Sequence, residues 1–449
     1  MSSLPASLLA WIEKTTSAPV QLVEELTGGA SRNSYIITNT DGAKSFLRLD
    51  AGHGPLSGTE FTLEREYRVL ASLEGHGVPM ARVRAFSAPH SAMLMEFIPG
   101  HTSYQKIGSP AEEAKLRREL MAIVVALQKV PPTSMHMLGH YCNAPLGVSI
   151  PADLAIWRRL YDQRVGIREP LVEFGLNWLT HSVPDPDAPP VIVHGDVGPG
   201  NFLIENGDIK ALIDWEMTRI GHPLEDVACI IARALGAPFG EPREHVENYE
   251  KLTGAQVDYR RLDYALSLVL VRWLVGILMA LSRPSALQNV PMLFAFLQIN
   301  GIALIDALCR LNKIPLAEKP VRFRNADPCF SVFTYATDSL TQMAGDAGIG
   351  AANSYKLKGA VDLLAYLRSF IDYGPESYER EDIERISHVV GRQVLGIKEA
   401  NAAICEHARE VKTEEARPLV EYLRWRSARE QAIMRTSLGV RKDNRISYD

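Results

Sequence analysis

The strongest constraint on the fold of this chain is a dipeptide, Asn206-Gly207, set between the short apolar runs Phe202-Leu203-Ile204 and Ile209-Lys210-Ala211-Leu212-Ile213. Asn-Gly accepts the two positive φ angles of a tight hairpin turn, so the two runs read as paired strands. Val191-Ile192-Val193, just upstream, reads as a short buried strand. Between that strand and the hairpin lies His194-Gly195-Asp196-Val197-Gly198-Pro199-Gly200-Asn201, and the second hairpin strand ends in Ile213-Asp214-Trp215-Glu216. Three proton- or metal-handling side chains, Asp196, Asn201 and Asp214, thus meet across one small β unit.

Asp and Asn in a Gly-rich loop are commonly turn formers that bond their own backbone. Here the spacing H-x-D-x-x-x-x-N, the hairpin and the strand-end Asp together favour chemistry. Phosphoryl transfer needs a divalent cation on hard oxygen ligands and a carboxylate aimed at the attacking hydroxyl. This constellation supplies both.

Elsewhere the pattern changes twice. From Val20 to Leu49, QLVEEL, SYIITN and SFLRL are split by TGGASRN and by an Asp41-Gly42 turn, which predicts successive antiparallel strands. Ser57 with Glu60 suggests a capping box before a helix carrying Leu63, Tyr67, Leu70 and Leu73, and AMLMEFI at 92–98 reads as a further strand. Residues 1–98 therefore form a small sheet-plus-helix lobe, 99–325 a mainly helical lobe, and 326–449 a helical appendage. In the appendage Ile383, Ile386, Val390, Val394, Ile397 and Ile404 fit one apolar helix stripe, and Pro418 opens another helix. That stripe needs cover, either on the large lobe or on another subunit in a homodimer.

The segment VIVHGDVGPGNFLIENGDIKALIDWEMTRIGHPLEDVA resembles the aminoglycoside phosphotransferase family, relatives of the protein kinases. Within it, IDWE and GHPLEDVA are similar to the kinase-like domain fused to certain acyl-CoA dehydrogenases. The resemblance covers roughly residues 15–325 and is most specific at 191–229. It implies an α+β, two-lobed protein-kinase-like fold with an appended C-terminal helical segment. It also implies Asp196 as catalytic base, Asn201 and Asp214 as Mg²⁺ ligands, His194 as a brace for the loop and Asp226 as its tie. Glu216 is open between a direct role and that of a solvated carboxylate.

The resemblance places the nucleotide, ATP or GTP, on the small lobe. Gly28, Gly29 and Ser31 lie in a turn where backbone N–H groups could approach phosphates. Arg48 stands where the wider family has a phosphate-binding Lys, and the acyl-CoA-dehydrogenase-linked group is similar in having Arg. Spacing gives Arg48 a partner independently: Glu66 shares the apolar helix face of Leu63, Tyr67 and Leu70, where a carboxylate is costly unless paired. Glu96, Phe97 and Ile98 would connect the lobes and offer backbone groups to a purine.

Composition excludes more than it proves. A net charge of -5 gives no electrostatic reason for a nucleic-acid or anionic-membrane partner. Five scattered cysteines without a C-x-x-C pair suggest neither a disulfide framework nor zinc, and the N-terminus lacks a signal-peptide pattern, so a cytoplasmic location is expected. The apolar stretch Tyr264 to Leu281 carries Arg272 near its middle and reads as a buried helix, not a membrane span. The reading is a kinase for a hydroxylated small molecule, with hydroxyacyl-CoA first by resemblance. Macrolide or aminoglycoside phosphotransferase, or an inactive kinase-like binding module, are the alternatives.

Overall fold

A computed structural model of the chain describes residues 4–26, 32–50, 52, 56–104, 107–283, 290–316, 330–346, 348, 350–435, 437–438 and 444–448. The chain forms two compact units, one of Met1–Asp153, Pro184–Asp258 and Ser447–Asp449, the other of Leu154–Val183 and Tyr259–Ile446. Their boundaries fall elsewhere than at 98 and 325.

The first unit opens with helix α1 (Ala6–Thr16), which the sequence pattern did not announce, and strands β1 (Val20–Leu26), β2 (Arg32–Asn39) and β3 (Lys44–Asp50). Helix α2 (Leu63–Leu73) and strands β4 (Val83–Ser87) and β5 (Ala92–Glu96) complete an antiparallel sheet of order β1-β2-β3-β5-β4. The period of two along each strand sorts its faces. Tyr35, Ile37, Leu47, Ala92 and Leu94 bury against Leu8 and Ile12 of α1, each large apolar side chain contributing about 1.5–3 kcal/mol. Arg48, one position on from Leu47, points to the opposite face, and there it meets Glu66 of α2. The cap of α2 is Thr62, whose hydroxyl accepts from Arg65 N at 3.1 Å; Ser57 lies in the preceding turn and is not the cap, because the helix begins six residues later, at Leu63.

Helix α3 (Pro110–Gln128) follows, then α4 (Leu146–Arg164) and, in the second unit, α5 (Pro170–His181). Back in the first unit come β6 (Val191–Val193), β7 (Phe202–Glu205), β8 (Asp208–Leu212) and β9 (Arg219–Gly221), with α6 (Glu225–Arg233) and α7 (Pro242–Thr253) after them. The β7–β8 hairpin turns on Asn206 (φ 54) and Gly207 (φ 75), as Asn-Gly predicts. The sequence reading missed β9, which pairs with β6.

The second unit is helical: α8 (Tyr259–Ser282), α9 (Val290–Leu311), α10 (Phe330–Gly345), α11 (Ala351–Tyr373), α12 (Pro375–Val390), α13 (Ile397–Glu410) and α14 (Arg417–Met434). Helices α8 and α9 are long and apolar enough to cross a bilayer, yet 72% and 56% of their apolar windows are buried inside protein. Arg272 within α8 is 1% exposed. The apolar stripe expected to run from Ile383 to Ile404 is two helices, because the chain turns at Gly391 in a left-handed conformation (φ 68). Pro418 does sit in the first turn of α14.

Candidate active site

The loop after β6 is held from below by a carboxylate. Asp226, fully buried on α6, accepts from the backbone N–H of His194 at 2.8 Å and of Gly195 at 2.9 Å. Burial pushes its carboxyl up to about 6, against the pull of those two donors. Gly195 is glycine for a steric reason: at φ +83 a Cβ would fall 2.2 Å from Arg219 Nη1 and 2.5 Å from the Met217 carbonyl. His194 braces the hairpin, its Nε2 lying 3.1 Å from the Ile213 carbonyl and its ring 4.5 Å from that of Trp215. Burial drives its imidazole down to about 4, so it is neutral near pH 7.

Asp196 stands at the crest of the loop with both carboxylate oxygens engaged. Oδ2 accepts from Asn201 Nδ2 at 2.7 Å, and Oδ1 accepts from Arg233 Nη1 at 2.7 Å. The same Asn201 amide donates to the Asp196 carbonyl at 2.7 Å. Desolvation raises the Asp196 carboxyl and Arg233 opposes that rise. Asn201 and the strand-end Asp are joined through the backbone, since Ile213 N donates to the Asn201 carbonyl at 3.0 Å. Asp214 then takes a left-handed conformation (φ 68, ψ 61), uncommon outside Gly, Asn and Asp.

Opposite the loop, Arg48 bonds Glu66 through Nη1 and lies 3.3 Å from Asp214 Oδ1 through Nη2. Burial works against the Arg48 charge, but Glu66, Asp214 and Glu216 outweigh it and hold the guanidinium protonated. The pairing read from helix spacing is therefore present, with Glu66 1% exposed. Glu216 is pushed up to about 7 by burial and by the neighbouring Asp214 and Glu66. Arg65 bridges α2 to the segment after Asp214, donating to the Glu216 carbonyl at 3.0 Å and the Thr218 carbonyl at 2.5 Å.

Of the candidate residues, the structure brings together His194, Asp196, Asn201, Asp214, Arg48 and Glu66. Gly28, Gly29 and Ser31 lie outside the described residues. Glu96 ends β5, paired with Ser45, and its N–H donates to the Arg82 carbonyl at 2.8 Å, so that donor serves the sheet. Ile98 is half-buried just beyond it. Two functional candidates escaped the sequence reading, Arg65 and Arg233; the one available signal was the pair of glycines, Gly198 and Gly200, flanking Pro199.

Asn201 and Asp214 offer amide and carboxylate oxygens, the donor set Mg²⁺ prefers. Among the described residues no group of three or more His, Cys, Asp or Glu could hold a metal. Two protein ligands fit an ion that takes the rest of its shell from water and nucleotide phosphates.

The profile described as the phosphotransferase enzyme family matches residues 23–264, which is 242 of the 449 residues. Acyl-CoA dehydrogenase family member 11 of Gallus gallus is 23% identical over 222 residues, 46% of this chain and 27% of that protein. Family member 10 of Mus musculus is 27% identical over 229 residues, 47% of this chain and 20% of the relative. The match thus spans about a quarter of the length of these curated relatives. Among solved structures, a protein of Ralstonia eutropha provisionally assigned to the aminoglycoside phosphotransferases superposes with TM-score 0.51, 22% identity and coverage of 66% of this chain and 94% of that one. An ethanolamine kinase of Plasmodium vivax gives TM-score 0.51 at 13% identity, covering 66% and 84%. These likenesses establish the kinase-like α+β fold.

Proposed function

Since the chain belongs to the phosphotransferase enzyme family, whose chemistry is phosphorylation of a hydroxyl group, we propose that it moves the γ-phosphoryl group of ATP to a hydroxylated small molecule. The observation that carries this reading is the single cluster of Asp196, Asn201 and Asp214 at the two ends of one hairpin, with Arg48 and Glu66 facing it. Asp196 would orient the acceptor hydroxyl and take its proton. Asn201 and Asp214 would hold Mg²⁺, which when bound neutralises charge on the transferring phosphate. His194 and Asp226 hold the loop in register, and Arg48, kept in place by Glu66, would meet nucleotide phosphates. Gly28, Gly29 and Ser31 would cover those phosphates, and the stretch from Glu96 to Ile98 would contact the base.

Hydroxyacyl-CoA is the acceptor class to test first, because the curated relatives carry their matching segment within acyl-CoA dehydrogenase family proteins. Cys142, Cys229, Cys309 and Cys405 are free and buried, which suits a reducing, cytoplasmic compartment. The decisive experiment is Asp196→Asn, assayed for phosphoryl transfer to a panel of hydroxyacyl-CoAs, macrolides and aminoglycosides, with Mg·ATP binding followed by calorimetry. Turnover should fall by about 10²–10⁴-fold, the usual worth of a positioned base, while nucleotide affinity survives. A parent protein that bound no nucleotide would leave only the inactive binding module.

A further inference from the structure

The loop His194-Gly195-Asp196-Val197-Gly198-Pro199-Gly200-Asn201 carries no Lys or Arg, yet its aspartate is held by a guanidinium. Arg233, the last residue of α6, reaches it from 37 positions away. Its Nη1 donates to Asp196 Oδ1 at 2.7 Å, while Nη2 and Nε donate to the Pro199 carbonyl at 2.7 and 3.2 Å. With Asn201 on Oδ2, one side chain on each flank fixes the carboxylate. The loop is shaped around this arginine: Gly198 has φ +142, and a Cβ there would lie 2.8 Å from Arg233 Cδ. The same helix also holds the loop at its start, through Asp226.

We propose that Arg233 is a positioning residue for phosphoryl transfer, fixing the Asp196 carboxylate so that Oδ1 stays on the guanidinium while Oδ2, which also accepts from Asn201, turns its remaining lone pair to the acceptor hydroxyl. The proposal rests on the reading of Asp196 as the base. In the step itself the acceptor oxygen bonds to the γ-phosphorus and its proton passes to Asp196. The bond from γ-phosphorus to the bridging oxygen breaks, and that electron pair leaves on ADP. Arg233 acts on the reacting atoms through Asp196, and its bonds to the Pro199 carbonyl fix where the guanidinium sits. A planar fork meets the carboxylate and the Pro199 carbonyl with three nitrogens held in fixed geometry, which the single nitrogen of an ammonium cannot reproduce.

A double-mutant cycle on the full-length protein separates this role from simple loop closure. ADP release from Mg·ATP with water as acceptor is measured in single turnover, and Mg·ADP affinity by calorimetry, for the parent, Arg233→Lys, Asp196→Asn and the double variant. Arg233→Lys should lower the rate about 10- to 100-fold and shift Mg·ADP affinity by no more than about twofold. In the Asp196→Asn background it should cost nothing further, because its effect runs through the missing carboxylate. Where Arg233→Lys is too unstable to assay, Arg233→Gln keeps a donor for the Pro199 carbonyl and the same cycle decides. An unchanged rate, losses that multiply in the double variant, or an affinity that falls in step with the rate would each overturn the proposal. If Asp196→Asn itself kept full turnover, it is the assignment of the base that fails, whatever Arg233 does.

Discussion

Two buried charge clusters, one in each unit, are built in opposite proportion. In the first unit Arg48 faces three carboxylates, Glu66, Asp214 and Glu216. In the second a single carboxylate, Glu173, 1% exposed on α5, is met by three arginines, Arg158, Arg168 and Arg409. There the surplus is answered within the protein, since Asp162 accepts from Arg168 at 2.7 Å and from Arg409 at 2.5 Å. Arg32 lies 3.9 Å from Glu216 and is shared with Asp50 at 3.4 Å, so it brings a further carboxylate with it. A cluster closed by its own counter-charges ties helices together. One left rich in negative charge beside a half-exposed Asp214 invites a cation from solution.

The largest effect should come from breaking the closed cluster. Glu173→Gln leaves three guanidiniums around a neutral amide; because they are 23–42% exposed and two keep Asp162, the loss should be about 1–3 kcal/mol, the usual worth of hydrogen bonds to a buried charged group. The denaturant midpoint should fall accordingly, with Mg·ADP affinity unchanged at temperatures where the variant is folded. A loss below about 1 kcal/mol would mean that the arginines find other partners and that the two clusters differ less than their geometry says.

Asp214→Asn should do the reverse. It relieves carboxylate repulsion and keeps the Arg48–Glu66 bond, so stability should stay within about 1 kcal/mol of the parent, on the stabilising side. Mg²⁺-dependent nucleotide affinity should drop by roughly 10- to 100-fold, as expected for loss of a charged ligand. Calorimetry with and without Mg²⁺ tests the second half and thermal melting the first. A variant both less stable and unaltered in binding would make Asp214 a structural residue like Glu173.

The same contrast explains what could be read from the sequence. The hairpin, the loop and the Glu66–Arg48 pair were legible because their signals are local: Asn206-Gly207 turns, and Glu66 sits on an apolar helix face that demands a partner. Arg233 and Arg65 were not, because each bonds a segment far along the chain, and a surface-type residue gives no sign of that at its own position. Strand β9 escaped because three residues are too few for a period, and α1 because its buried pair, Leu8 and Ile12, follows no strong cap. In the second unit Glu173 lies within an apolar run whose helical period is clear, but no spacing rule names three arginines from 158 to 409 as its partners.

The smallest and most specific test concerns Glu216. Its carboxyl is raised to about 7, first by burial and then by Asp214 and Glu66, from an ordinary value of 4.5. A group with a raised folded-state value binds more protons folded than unfolded between those two limits, so its contribution to stability declines as pH rises from about 4.5 to 7 and is flat above. Cation binding runs the other way, because a bound divalent ion favours the ionised carboxylate, and Mg·ADP affinity should strengthen over the same window by up to roughly tenfold. Opposite slopes in one pH range are the signature of a cluster short of positive charge. Glu216→Gln should flatten both, shifting the melting temperature by only a few degrees at pH 7, measured alongside calorimetry in half-unit steps from pH 5 to 8. Slopes of the same sign, or slopes that survive in Glu216→Gln, would place the negative surplus elsewhere and remove the distinction drawn between the two clusters.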